Sequence, residues 1–145
     1  MPPNGQRKFV DTLMRKARAD YGVLLKLGVE RDEYDLVFGF HAQQAIEKAL
    51  KAVIAASGSE FPLTHNISAL LDIIAKAGGA DPPAISEPGL LTVFAVEYRY
   101  EDYDEPPPDM DRAELTVEVE HVIRWAEEVA GLHAHEGDEP DSTQR

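Results

Sequence analysis

The stretch Phe38 to Ala56 reads FGFHAQQAIEKALKAVIAA, and its reading decides the fold. Twelve of its nineteen residues are Ala, Val, Ile, Leu or Phe, and no helix breaker follows Gly39. Apolar side chains fall at Phe38, Ala42, Ala45, Ala49, Ala52, Val53 and Ala56, in steps of three and four. A second apolar row runs through Phe40, Ile46, Leu50, Val53 and Ile54. Gln44, Glu47, Lys48 and Lys51 are left as a narrow polar strip. A helix on the surface of a domain has one apolar stripe; two rows mean neighbours on both sides. Alanine at close spacing lets those neighbours approach, so this is the central helix of a bundle.

The flanking segments carry the same period. A first helix is expected from about Gln6 to Gly28, with Phe9, Leu13, Ala17, Asp20, Leu24 and Leu27 on one face. The central helix runs from about Tyr34 to Ser57, and Gly58 ends it. Phe61-Pro62-Leu63-Thr64 is extended, because the residue before proline avoids helix. Thr64 is positioned to cap a third helix over His65–Ala77, striped by Ile67, Leu70, Leu71, Ile74 and Ala77. Ser86-Glu87-Pro88 opens a fourth, with Leu91, Phe94, Ala95 and Tyr98 inward. The β-branched Thr92, Val93 and Val96 favour a strand there, but the three-four spacing favours helix. Asp111 followed by Glu114 marks the start of a last helix ending at Gly131. Its inward set is Leu115, Val119, Val122, Ala126, Val129 and Ala130.

The architecture implied is all-α: an up-down bundle of four to five antiparallel helices in a single domain over residues 6–131. Residues 1–5 form a flexible leader, and 132–145 an acidic tail too polar to bury, expected to be disordered.

Composition narrows the chemistry. The absence of cysteine excludes disulfides, thiol catalysis and cysteine-ligated zinc. No apolar run approaches the roughly 20 residues that span a bilayer, so no membrane role is expected and a cytoplasmic location follows by default. Net charge is −13 but unevenly spread. Arg7, Lys8, Arg15, Lys16 and Arg18 face only Asp11 in their segment, whereas ten carboxylates between Glu97 and Glu120 face Arg99 and Arg112. Most of this surface repels a polyanion, so any nucleic acid must meet a local basic patch, and sequence-specific DNA binding is not expected. Solvated helix faces are the plainer explanation of the same charges.

Candidate sites are few. Five histidines include no pair at the helical spacing of a zinc site; His133 and His135 lie in the tail, and His65 serves the start of the third helix. No resident metal, cofactor or catalytic set is expected. Glu101, Asp102, Asp104, Glu105 and Asp109 lack the spacing of a calcium loop. His41 is a titratable group on an apolar helix, satisfied by a hydrogen bond or available to a ligand. Glu47 and Lys51, at i and i+4, either stabilise an exposed ridge or line a polar cleft in which Lys48 or Lys51 meets a phosphate. Arg99, between Tyr98 and Tyr100, can stack on aromatic rings, pin a phosphate or pair with local carboxylates.

FGFHAQQAIEKALKA, then THNISALL from Thr64 to Leu71, then Tyr98-Arg99-Tyr100, resembles the HEPN domain family over about Arg7 to Gly131. The resemblance implies a helical bundle, usually a homodimer, with a polar cleft near the dimer interface. It implies binding of a nucleotide or RNA. For many members it implies an RNA-cutting toxin paired with a nucleotidyltransferase-like antitoxin. On this footing the ligand-binding set is Arg99, Lys48, Lys51, Glu47, Gln44, Tyr100 and His41, with Glu47 orienting a lysine. In nuclease members a histidine follows the arginine after four to six residues; here those positions hold Asp104, Glu105 and Pro106. Tyr100 is followed by Glu101 where related members often carry proline. An exposed aspartate is a poor acid-base group near neutrality. The expectation is therefore a binding protein that does not cut RNA. An endoribonuclease toxin with an unconventional acid-base group and a dimeric interaction module docking a nucleotidyltransferase are the alternatives.

Overall fold

The computed structural model describes residues 4–100 and 110–131, with side chains for all of these except 4 and 95–100. They form five helices: α1 (Asn4–Leu27), α2 (Asp35–Ala56), α3 (Ile67–Lys76), α4 (Pro88–Tyr100) and α5 (Arg112–Val129). No strand occurs among the described residues. The chain is an all-α bundle. The leader to residue 3, the acidic segment 101–109 and the tail with His133 and His135 lie outside the described residues.

α2 packs against each of the other four helices, while α1 meets α5 and α3 meets α4 around it. Phe38, Ala42, Ala45, Ile46, Ala49, Leu50 and Ala52 are fully enclosed, so both apolar rows are buried except at their ends, where Phe40 and Ala56 are half-buried. Gly39 sets how close α4 can come. A Cβ there would stand 2.6 Å from two ring carbons of Phe94, itself buried. No side chain fits that gap.

Three local expectations need correcting. α1 buries Val10 and Met14 most deeply, with Leu13 half-buried against the core; Phe9 is 39% exposed and packs edge-on against Phe61 at 5.1 Å. The inward face is rotated by one residue at that end because Phe9 finds a partner in the linker. α3 is capped by Asn66, whose side chain accepts from the Ala69 N–H, while Thr64 Oγ1 accepts from the Asn66 N–H, two residues too early to cap. α5 buries Ile123 and leaves Val129 42% exposed, since its last turn lies at the edge of the bundle. The Asp111 cap of α5 is as expected, accepting from the Glu114 N–H at 3.0 Å.

The largest fully buried side chain is charged. Arg112, at the first position of α5, donates to Asp35 Oδ1 through Nε (3.0 Å) and Nη2 (2.8 Å) and to Asp32 Oδ1 at 2.7 Å. Nη1 reaches the Gly28 and Leu27 carbonyls at the end of α1. The Phe38 ring lies 4.7 Å beneath the guanidinium. Arg31 also binds Asp35. Burial pushes the Asp35 carboxyl up, but hydrogen bonds and charge from Arg31 and Arg112 outweigh it and hold the pKa below the ordinary range. One side chain thus ties together α1, the connecting loop, α2 and α5.

Candidate functional site

The polar strip of α2 is buried at its centre, not an exposed ridge: Glu47 is 5% and Lys51 7% exposed. A helix turns by about 100° per residue, so the strip divides into two sets. His41 and Lys48, seven apart, face α1. There Asp20 accepts from Lys48 Nζ at 2.7 Å and lies 2.8 Å from His41 Nδ1. Asp20 is the one charged residue among the apolar positions of α1, and it is 8% exposed.

Gln43, Glu47 and Lys51, four apart, face the linker and the start of α3. Glu47 Oε1 accepts from Gln43 Nε2 at 2.7 Å, and Oε2 accepts from Lys51 Nζ at 2.9 Å. Oε2 also lies 2.8 Å from His65 Nδ1. Gln44 joins the network by donating to Gln43 Oε1 at 2.7 Å. Lys51 Nζ stands 5.4 Å above the Phe61 ring. Desolvation raises the Glu47 pKa, but donation from Lys51, Gln43 and His65, with the Lys51 charge, outweighs it and lowers the pKa overall. A carboxylate so held is a poor proton acceptor near neutrality. Its chemistry is to hold Lys51 and His65 in place.

Glu47 holds Lys51, and the polar seam along α2 carries His41 and Lys48 in one set and Gln44 and Lys51 in the other. Both lysine charges are met by carboxylates. Gln43, fully buried and central, was not among the sequence candidates, although its spacing of four from Glu47 placed it on that face. Asp20 and His65 complete the two sets from other elements. The side chains of Arg99 and Tyr100 lie outside the described residues; their backbone forms the last turn of α4, which packs on α2 and α3. Among the described residues no group of three or more His, Asp or Glu is gathered to hold a metal ion, and no helix is long and apolar enough to cross a membrane.

The model of the HEPN domain matches residues 10–134 of the 145. The chain belongs to the HEPN domain family. No curated protein and no solved structure matches it. The family match covers all of α2 to α5 and most of α1, and so includes the whole α2 seam.

A second polar feature of this HEPN bundle lies outside the α2 seam. The exposed side chains of α1 include Lys8, Arg15, Lys16, Arg18 and Lys26, and no carboxylate. Both acids of α1, Asp11 and Asp20, are partly or fully withdrawn from solvent. Arg18 is paired with Glu127 of α5 at 2.7 Å. Lys8, Arg15 and Lys26 fall on one line along the helix, with Lys16 beside it, and the line is about 27 Å long at 1.5 Å per residue. In a chain of net charge −13, this is a cationic ridge on an otherwise acidic molecule.

Proposed function

We propose that this HEPN protein binds a phosphate-bearing ligand, with single-stranded RNA the best fit, and does not cleave it. The observation that carries the reading is the α1 ridge, where Lys8, Arg15, Lys16 and Lys26 are presented to solvent with no acid among them. A row of cations about 27 Å long suits a polymer of phosphates better than a single nucleotide. Arg99 supplies a further phosphate contact. Lys48 and Lys51, met by Asp20 and Glu47, shape the seam from within and contribute less charge to the ligand.

The absence of a histidine separated from Arg99 by four to six residues supports binding without cleavage, as does the engaged state of Glu47. In a fluorescence-anisotropy titration, labelled single-stranded RNA is expected to bind at low salt and weaken steeply as salt rises. Combining Lys8→Glu with Lys16→Glu should cost at least about tenfold in affinity, since a phosphate that no lysine neutralises keeps its condensed counterion. No binding at low salt removes the reading; shortened RNA after incubation replaces it with the nuclease one, for which Arg99→Ala is the control.

A second reading is favoured by Leu25, Val29 and Tyr34, which are 57%, 55% and 49% exposed around the α1–α2 connection. Apolar side chains gathered at one corner suit a protein partner, either a second copy or a nucleotidyltransferase-like protein as in the toxin–antitoxin pairs of the family. The identity of the neighbouring gene and the mass of the protein in solution test it.

A further inference from the structure

Two grooves formed by the described residues differ in charge. One, of about 390 Å3 between α4 and α5, has Glu87, Asp111, Glu114 and Glu118 in its rim against the single cation Arg31. The other, of about 430 Å3, lies where α2, α3 and α5 end, and among the described residues no carboxylate lines it. Its walls are apolar, chiefly Val53, Ile54, Ile73, Ile74 and Val129, and Arg7 of α1 is its one charged side chain. The Nη1 of Arg7 is enclosed and meets no hydrogen-bond acceptor. The rest of the Arg7 side chain lines the groove and meets no carboxylate among the described residues, and a cation left without a counter-charge favours an anion beside it.

The helix ends nearby do not cancel that charge. Gly58, Gly78 and Gly131 take the left-handed conformation that closes helix C-termini, and their N–H groups bind carbonyls of the preceding turn. Gln6 Nε2 donates to the Ala55 carbonyl at 2.9 Å, and Ser57 Oγ to that of Ile54 at 2.7 Å. The carbonyl ends are largely occupied, which leaves Arg7 to set the sign of the groove.

We propose that this groove binds a small carboxylate with an apolar body, of the size of a medium-chain fatty acid. Its carboxylate accepts from the Arg7 guanidinium, and its chain lies along Val53, Ile54, Ile73 and Ile74. The volume is within the range of small-molecule sites. The site is separate from the α1 ridge, so it stands or falls independently of RNA binding.

Calorimetric titration of the full chain with octanoate tests it, with octanol and octylamine as controls of equal length. Octanoate should bind at one per chain, raise the melting temperature, and bind at least tenfold more tightly than either control. Arg7→Gln should weaken it about tenfold or more, with Arg7→Lys keeping part of the affinity. Ala77→Phe, at the exposed edge of the groove, should block it while leaving Arg7 in place. Octanol or octylamine binding as well as octanoate, no binding at millimolar octanoate, or full affinity in both Arg7→Gln and Ala77→Phe overturns the proposal. A leucine-ended peptide binding more tightly through its free carboxylate overturns the small-molecule assignment.

Discussion

Arg112 carries more of this fold than any other single side chain. Its side chain has no exposed surface, and it meets two carboxylates, two carbonyls and an aromatic face. Removing one partner of a buried ion pair leaves the other uncompensated, at about 3–5 kcal/mol. Arg31 still serves Asp35, which places Arg112→Met near the lower end, a loss of about 3 kcal/mol in urea unfolding. Asp32, 41% exposed, is re-solvated and adds little. Gly39 is the opposite case, a position defined by what it lacks. Gly39→Ala puts a methyl group into the Phe94 ring, and overpacking should cost about 1–3 kcal/mol in the same assay. A smaller side chain at that site, in Phe94→Leu, should recover part of that loss in the double variant.

At the scale of elements, the caps and the α2 seam invite different tests. Asn66 accepts from the Ala69 N–H at 3.0 Å, so Asn66→Ala should cost about 1 kcal/mol, and Thr64→Ala clearly less. Equal losses at both positions contradict the cap assignment. The seam joins α2 to α1 through Asp20 and to the start of α3 through His65. The period of α2 was legible in the sequence, because buried and polar positions on one helix follow from its own spacing. The partners of its polar positions were not. Asp20 and His65 lie 28 and 18 residues from the lysine and glutamate they meet, and nothing local fixes such pairings. The same holds for α1, whose stripe was read through Phe9. A 3.6-residue period tolerates a shift of one position at a helix end, and only the linker residue Phe61 decides it.

For the whole molecule, two buried carboxylates link stability to pH. Asp35 holds α2 to α5 through Arg112, and Glu47 holds α2 to the start of α3 through His65. Both have folded pKa values below their ordinary ones. A group lowered on folding stabilises the protein fully above its unfolded pKa, and that contribution disappears as pH falls through the folded value. The melting temperature should therefore hold level near neutrality and fall below about pH 4, the ordinary carboxylate range. Arg112→Met should flatten part of that fall, since it removes one of the two guanidinium groups that hold the Asp35 pKa down and leaves Arg31 in place. The same acid dependence in Arg112→Met as in the wild type rejects the assignment. The excess of acid elsewhere works in the opposite direction, since protonation relieves repulsion in a chain of net charge −13, so the variant comparison isolates the buried pair.

What the sequence determined by itself was whatever depends on near neighbours along the chain. The five helices, their glycine and aspartate ends, the centrality of α2 and the family resemblance all rest on residues a few positions apart. Tertiary structure alone decided which charges meet. It buried Arg112, which the sequence showed only as one cation among ten carboxylates, and it enclosed Lys51 and Glu47 where their spacing also allowed an exposed ridge. It turned the cations of α1 outward into one ridge and placed Arg7 alone in an apolar groove. The reason is physical. Helical order is set by bonds between residues four apart, whereas the environment of a charge is set by whatever the packing brings within a few ångströms of it.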